Sequence, residues 1–269
     1  GAYDYTKNTW VVHDGNWYVA SREVIKYYMD PRNFLDERGI FQFESLKYRS
    51  DVQTQTGVEN VLRNTPMYNT NFTYTNNAGK NVSIKYSKAF MEAAAASKVS
   101  PYHLASRVKQ EVVISSTMMS SSVSGNVAGY KGIYNFYNIG ANSGANAVKN
   151  GLKWASTGTD YSRPWNNRYR SIYGGACYIG KQYINVGQNT LYLQKFNVTA
   201  TKRYDHQYMA NIEAPNNEAT KTANAYGSDK DNTPIVFSIP VYNNMPVSAC
   251  DIPSGGKNPN NYLKNLYVQ

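Results

Sequence analysis

The chain has 269 residues, and its 28 Lys and Arg exceed its 18 Asp and Glu, which gives a formal net charge of +10. That length suits one large domain, or a main domain with a small accessory lobe. No apolar run approaches the ~18 residues of a membrane span, so the sequence predicts no spanning helix. The positive charge favours polyanionic partners such as nucleic acid, anionic lipid or an anionic cell wall, and charge alone does not choose among them. Because the basic residues are scattered and no nucleic-acid or zinc-ligand motif occurs, we expect no nucleic-acid partner, no metal and no cofactor.

Aromatic and amide side chains are the main compositional signal, with 25 Tyr beside abundant Asn and Ser. This mixture favours a carbohydrate ligand, because sugars present hydroxyls to amide groups and flat C–H faces to aromatic rings. The two cysteines, Cys177 and Cys250, are too few and too far apart for a disulfide framework or a metal site. They could form one bridge, but the sequence favours two buried free thiols.

The N-terminal part is predicted to be a hairpin followed by short helices. Residues 9–19 alternate around Asp14-Gly15, which is a strong hairpin signal. Ser21 is placed to cap one short helix, and Asp30-Pro31 opens another. We therefore expect a small N-terminal lobe that begins with β-structure.

The features of residues 40–98 are the basis for dividing the chain into lobes. A run of large apolar side chains surrounds a single acid, Glu44. The Asn- and Thr-rich run at 69–80 is typical of an exposed loop or a weak hairpin. The Ala-rich run at 83–98 predicts a helix whose small side chains allow close packing. We divide the chain into an N-terminal lobe at 1–80 and a core at 81–269, which together form one integrated domain.

A second core helix is predicted to begin at Ser100 and Pro101. The Ser hydroxyl can cap the helix, and Pro is tolerated at the first helical position because its missing N–H has no partner there. Apolar residues then recur at helical spacing and define a buried stripe. They are Leu104, Ala105, Val108 and Val112.

An acid, Glu111, falls on this apolar face. We expect its side chain to point inward, where contact with apolar surface disfavours the charged form and makes the group a candidate general acid. An ion pair with Arg107, one turn earlier, is the alternative, because buried carboxylates also serve in structural pairs. Helical spacing alone leaves the two interpretations evenly balanced.

The segment after this helix is polar and then aromatic. A run of small polar residues at 115–125 gives way to short β-like pieces around Val127 and Tyr130. The run from Tyr134 to Ala141 then combines amides and rings at a density that core packing does not explain. We interpret its Asn side chains as hydrogen-bonding groups of a cleft and its rings as platforms for a sugar.

The C-terminal half is predicted to contain one long helix at 166–184. Its Gly174-Gly175 pair lowers helix propensity and suggests a close approach of backbone or ligand. The preceding loop at 160–165 could wall a groove. The run at 191–196 predicts a strand or extended piece, and the Pro-, Gly- and Asn-rich end at 234–269 is expected to wrap the surface.

Six ordered motifs carry a resemblance to a known family. They are DPRNFL at 30–35, IFQFE at 40–44, SRVKQEV at 106–112, YNFYNIGA at 134–141, GGA at 174–176 and YINVGQNTLY at 183–192. Over nearly its whole length the chain resembles glycoside hydrolase family 73, the bacterial N-acetylglucosaminidases that cut peptidoglycan glycan strands. The two leading motifs are similar to those of the autolysin branch in clostridia and bacilli.

The resemblance implies an α+β, mainly helical, lysozyme-like fold in which a helical lobe and a small β-lobe flank a substrate cleft. It places the family's catalytic Glu on Glu111 and the family's Tyr on Tyr134. It further implies a secreted, wall-associated enzyme, which we expect to be a monomer that binds peptidoglycan and, through its basic surface, anionic wall polymers. The side chains assigned to substrate binding are Gln110, Asn135, Phe136, Tyr137, Asn138 and Trp165.

A second catalytic acid is not evident, because the span from Val112 to Thr159 contains no Asp or Glu. Most glycosidases use two carboxyl groups. Glu44 or Asp160 could supply the second, the 2-acetamido group of the substrate could act as the nucleophile, or water could attack a centre shielded by Tyr134. We favour the acetamido route. A lytic transglycosylase and a non-catalytic wall-binding module are the alternative functions.

Overall fold

The structure is a computed structural model that describes residues 1–142, 144–207 and 209–253. The chain is mainly helical, and its described strands form three separate two-stranded antiparallel sheets. This confirms the predicted α+β, mainly helical class.

Contacts between residues divide the chain into two compact units. Unit 1 comprises Gly1–Glu44, Thr190–Thr220 and the described residues from Phe237 onward, and unit 2 comprises Ser45–Asn189 and Lys221–Val236. The sequence divided the chain at residue 80 instead. A single boundary along the chain cannot separate the two units, because unit 1 is assembled from three separate segments.

Unit 1 begins with two small hairpins. Strand β1 (Tyr3–Asp4) pairs with β2 (Thr9–Trp10), and β3 (Val12–Asp14) pairs with β4 (Trp17–Tyr18). The second of these is the hairpin predicted around Asp14-Gly15. Gly15 has a φ of 50°, a left-handed conformation that glycine adopts at little cost.

The predicted helix caps of unit 1 are present. The Ser21 hydroxyl accepts a hydrogen bond from the N–H of Val24 at the start of α1 (Arg22–Met29). The Asp30 carboxylate accepts one from the N–H of Arg32 in the 3₁₀ helix Pro31–Phe34. Both caps satisfy N–H groups that have no partner inside their helices.

A helix occupies the segment predicted as a strand at 191–196. Helix α7 (Leu191–Lys195) is capped by Thr190, whose hydroxyl accepts from the N–H of Leu193. Its Tyr192 packs with Phe34, Phe43 and Phe196 in the core of unit 1. The prediction was wrong because a short alternating run does not distinguish a strand from one helical turn whose burial is set by tertiary contacts. The end of the predicted surface wrap, after residue 253, lies outside the described residues.

Helices make up most of unit 2. Their bounds are α2 (Gln55–Leu62), α3 (Tyr86–Ser97), α4 (Pro101–Val112), α5 (Ala147–Ser156) and α6 (Arg168–Gln182), while α8 (Ala214–Tyr226) begins in unit 1 and ends in unit 2. Helix α3 packs against α6, α2 and α4. Its Ala89, Ala93 and Ala94 are buried. The predicted small face of the Ala-rich helix is thus confirmed.

The sheet of unit 2 is a hairpin that precedes α3. Strands β5 (Asn71–Thr75) and β6 (Asn81–Lys85) pair in regular antiparallel register over five residue pairs. Its turn is closed by Asn76, whose Oδ1 accepts from two backbone N–H groups. The β-like pieces predicted around Val127 and Tyr130 are turns instead. Gly125, Gly129 and Gly132, all with positive φ, account for that difference because such conformations end extended structure.

Candidate active site

The helix that carries the candidate acid is built as predicted. The Ser100 hydroxyl accepts from the N–H of His103, and Pro101 opens α4. Leu104, Val108 and Val112 are buried. Helix α4 is therefore anchored through its apolar stripe, which fixes the direction of its last turn.

Glu111 lies at the edge of that stripe and not beneath it. Its side chain is 30% exposed, and its Oε1 lies 3.1 Å from Nη2 of Arg107. The prediction of an inward-pointing carboxylate was wrong, because the last turn of the helix is open on this side and the cation one turn earlier reaches the carboxylate. The ion pair with Arg107, which the spacing left as the alternative, is present.

Asn138 holds the other side of the Glu111 residue. Its Nδ2 donates to the backbone oxygen of Glu111 at 2.8 Å and to Oε2 at 3.3 Å. Asn138 has a φ of 49°, a left-handed conformation that Asn tolerates better than most residues. Each carboxylate oxygen thus has one hydrogen-bond donor, and the carboxylate is still open to solvent. We call Glu111, Arg107 and Asn138 the Glu111 site.

The middle of the aromatic and amide motif belongs to the core. Asn135 and Phe136 are fully buried and Tyr137 is nearly so. The Asn135 Nδ2 donates to the carbonyls of Ile139 and Gly151, and its Oδ1 accepts from the N–H of Ile139. A buried amide that is already used in this way cannot reach a ligand. The assignment of Asn135, Phe136 and Tyr137 to substrate binding is corrected accordingly.

Tyr134 is the half-buried first residue of the motif. Its N–H donates to the carbonyl of Trp165 at 3.0 Å. The guanidinium of Arg168 lies over its ring, 5.2 Å from the centroid. Its hydroxyl lies so close to Gly125 that a side chain there would collide with it. Sequence reasoning missed Arg168, because nothing in the local pattern links residues so far apart.

Trp165 was predicted to wall a groove, and the structure buries it completely. Its Nε1 donates to the carbonyl of Tyr161 at 2.9 Å, so both its ring and its polar atom face the protein. Gly174 lies against this indole, and Gly175 lies against the ring of Tyr137. The close approach predicted from the Gly174-Gly175 pair is confirmed, and the neighbours are the backbone carbonyl of Tyr161 and the rings of Trp165 and Tyr137.

The remaining assigned residues have separate environments. Gln110 is half-buried, and its Nε2 donates to the Ser106 hydroxyl at 3.0 Å. The side chain of Asp160 is 81% exposed and lies 4.0 Å from Arg163. Glu44 is buried within unit 1, where its backbone bridges to Phe237. A buried carboxylate of this kind suits a structural role better than contact with a polymer.

Two further titratable groups of α4 are His103, which is buried, and Lys109, which is half-buried. Desolvation, with a smaller contribution from Arg107, lowers the pKa of His103 to about 3, so this imidazole is neutral. Burial also lowers the pKa of Lys109, whose Nζ donates to the carbonyls of Val61, Arg63 and Ala225. These groups fix the helix that presents Glu111.

Other predicted features concern metals, thiols and membranes. Cys177 and Cys250 are both free thiols, as the sequence favoured, but each is half-buried and not buried as expected. Within the described residues, no group of three or more His, Cys, Asp and Glu side chains could hold a metal ion. In the same residues, no helix is long and apolar enough to cross a membrane.

Comparisons with known proteins give the chain its relatives. It is 28% identical over 239 residues to the beta-N-acetylglucosaminidase of Bacillus subtilis strain 168, covering 87% of this chain and 24% of that protein. A bifunctional autolysin of Staphylococcus epidermidis is 32% identical over 109 residues, which are 40% of this chain and 8% of that protein. The chain is homologous to bacterial glucosaminidases and autolysins. No family profile matches it.

A solved glucosaminidase structure is similar to this chain in fold. The crystal structure of S. aureus glucosaminidase B superposes with a TM-score of 0.56 at 26% identity, covering 81% of this chain and 78% of that one. This homology agrees with the resemblance to glycoside hydrolase family 73. The chain spans about a quarter of the length of the Bacillus relative.

Proposed function

We propose that the chain is a peptidoglycan hydrolase that cleaves the β-1,4 bond on the reducing side of N-acetylglucosamine, with Glu111 as general acid and base. The observation that carries the proposal is the Glu111 site, where a carboxylate at the end of a core helix is held by donors on both oxygens yet open to solvent. A fixed and accessible carboxylate is what proton transfer to a glycosidic oxygen requires. The glucosaminidase homologues support the same substrate.

The mechanism we favour uses the substrate's own 2-acetamido group. Its oxygen attacks the anomeric carbon while Glu111 donates a proton to the leaving oxygen. The attack breaks the glycosidic bond and closes a ring between the acetamido group and the anomeric carbon, which gives a cyclic intermediate. Glu111 then takes a proton from the water that opens this intermediate. Tyr134 positions the acetamido group. The acid-free span from Val112 to Thr159 and the burial of Glu44 both favour this route over a second carboxylate.

We place the activity in the cell wall. The autolysin homologues support a secreted, wall-associated protein. A net charge of +10 would draw the chain to anionic wall polymers. We propose that it acts there as a monomer during autolysis or daughter-cell separation.

The deciding experiment compares Glu111→Gln with the parent chain on purified peptidoglycan. We expect turbidity loss to slow by about 10³-fold, because the amide cannot donate the proton, while the melting temperature and wall binding stay unchanged. Asp160→Asn is the matched control and keeps a near-normal rate. Retained lysis by Glu111→Gln would contradict the assignment, and loss of lysis in Asp160→Asn would support a two-carboxylate reaction.

Product analysis by mass spectrometry separates the alternative reactions. The proposal expects new reducing ends on N-acetylglucosamine. Anhydro ends on muramic acid would show a lytic transglycosylase. An absence of new ends with full wall binding would show a binding module.

A further inference from the structure

A cavity of about 290 Å³ lies in unit 2, between the tip of the β5–β6 hairpin and the first turns of α6. None of the residues that line it belongs to the Glu111 site or to the side chains that the sequence assigned to substrate. They are Tyr74, Thr75, Asn76, Asn77, Ser162, Asn167, Tyr169, Arg170 and Tyr173. We call this cavity the tyrosine pocket.

Three stacked rings contribute to the tyrosine pocket. The rings of Tyr74 and Tyr169 are nearly parallel, with centroids 4.6 Å apart and an interplanar angle of 4°. Tyr173 continues the stack, 6.1 Å from Tyr169 at 22°. The hydroxyl of Tyr169 donates to the carboxylate of Glu92 at 2.8 Å, which fixes the central ring. The three rings therefore form an ordered aromatic surface that is only partly buried.

Polar groups join the hairpin to the helix around these rings. The Asn167 Oδ1 caps α6 by accepting from the N–H of Arg170 at 2.8 Å. Its Nδ2 donates across to the carbonyl of Thr75 through a long bond of 3.4 Å. The pocket thus has two walls that contact each other.

The chemistry of the lining selects the kind of ligand. Among the described residues that line the pocket, hydroxyls and amides predominate, Arg170 is the single charge, and there is no carboxylate. Aromatic faces beside such groups suit a sugar, whose C–H face packs on a ring while its hydroxyls and acetamido group form hydrogen bonds. A polyphosphate would call for several cations. The volume lies just below the ~300–1,000 Å³ that is usual for small-molecule sites, which suits a single sugar unit and not a long chain.

We propose that the tyrosine pocket binds an N-acetylated sugar unit of a glycan strand, as a site additional to the Glu111 site. The choice of an N-acetylated sugar rests on the proposed function. The evidence for a sugar of some kind is the aromatic and amide lining, which is independent of that function. The pocket would hold part of a glycan strand on the protein independently of bond cleavage.

The test titrates the Glu111→Gln chain with the trisaccharide of N-acetylglucosamine and follows backbone amide shifts by NMR. We expect shifts at Asn76, Asn77 and Ser162, and binding at these resonances roughly tenfold weaker in Tyr74→Ala. Thr73→Ala is the matched control, because Thr73 is an exposed residue on the opposite face of the same strand. Its affinity stays that of the parent.

A second variant guards against damage to the hairpin. Tyr173→Leu removes a ring from the helical wall and is expected to weaken the same resonances with the hairpin intact. The proposal is overturned if the sugar does not shift these amides, if both tyrosine variants bind like the parent, or if Thr73→Ala loses as much affinity as Tyr74→Ala.

The failures of the two proposals are distinguishable. If Glu111→Gln still lyses peptidoglycan, the proposed mechanism is contradicted, but the NMR titration still tests whether the tyrosine pocket binds the sugar. Conversely, if the parent chain lyses peptidoglycan normally but the sugar does not shift the amides of the pocket, the proposed sugar site is contradicted and the proposed mechanism stands.

Discussion

Asn135 and Asn138 stand three residues apart in one motif, and the structure gives them opposite roles. Asn135 is fully buried, and its amide bonds three backbone groups of unit 2. Asn138 is half-buried, and its amide contacts both the backbone and the carboxylate of Glu111. The sequence assigned both to the substrate. The Asn side chains of one motif can therefore serve two purposes. One forms hydrogen bonds to buried backbone groups of a turn, and the other positions a reactive carboxylate.

The largest expected effect comes from Asn135→Ala. The change leaves the buried backbone oxygen of Gly151, and the half-buried N–H and oxygen of Ile139, without their side-chain partner. We expect the free energy of unfolding to fall by about 3 kcal/mol or more, since each unsatisfied buried group costs about 1–3 kcal/mol. Chemical denaturation followed by circular dichroism measures this change.

Asn135→Asp is the control for this prediction. A carboxylate can accept from the N–H of Ile139, but it cannot donate to the two carbonyls, so it should not restore stability. If either variant kept parental stability and lost activity instead, Asn135 would belong with Asn138 and the contrast between them would fail.

Asn138→Gly should give a smaller effect of a different kind. Gly keeps the left-handed conformation of this position, so the change removes the amide with little backbone strain. We expect kcat to fall by about tenfold, roughly 1.4 kcal/mol, because Glu111 loses the donor to Oε2. KM should change little, and the melting temperature should fall modestly because the donor to the backbone oxygen of Glu111 is lost as well. Steady-state kinetics on soluble glycan fragments measure kcat and KM separately.

Asn138→Ala is the companion variant. It also removes the amide but strains the left-handed backbone, so it should match the Gly variant in kcat and fall below it in stability. A raised KM with an unchanged kcat in both variants would indicate contact with substrate and not positioning of Glu111.

The sequence predicted elements and caps well, because these depend on neighbouring residues. Ser21, Ser100 and the Asp14-Gly15 turn were each read from a local pattern and are present. The exposure of Glu111 and the burial of Trp165 were not predictable in this way. Exposure depends on which distant segment covers a given turn, and helical spacing identifies only the face.

The hairpin of unit 2 illustrates the same limit at the level of the fold. Its run at 69–80 suggested at most a weak hairpin, yet β5 and β6 pair regularly. Phe72 is buried there against Tyr86, 4.6 Å between ring centroids, and this contact was invisible to strand patterning. Helical spacing singled out Glu111, and the resemblance to a family implied its catalytic role. The tyrosine pocket followed instead from contacts between the hairpin and α6 that no single motif contains.

The smallest expected effect tests Tyr137, one of the two residues between the two asparagines. Tyr137 is buried and its hydroxyl donates to the carbonyl of Ile172 at 3.3 Å, a long bond. Tyr137→Phe should therefore lower the free energy of unfolding by at most about 1 kcal/mol and leave kcat unchanged. Gly175→Ala, whose new methyl group would collide with the same ring, should cost more stability than this. A tenfold loss of kcat in Tyr137→Phe with normal stability would instead extend the Glu111 site inward from Asn138.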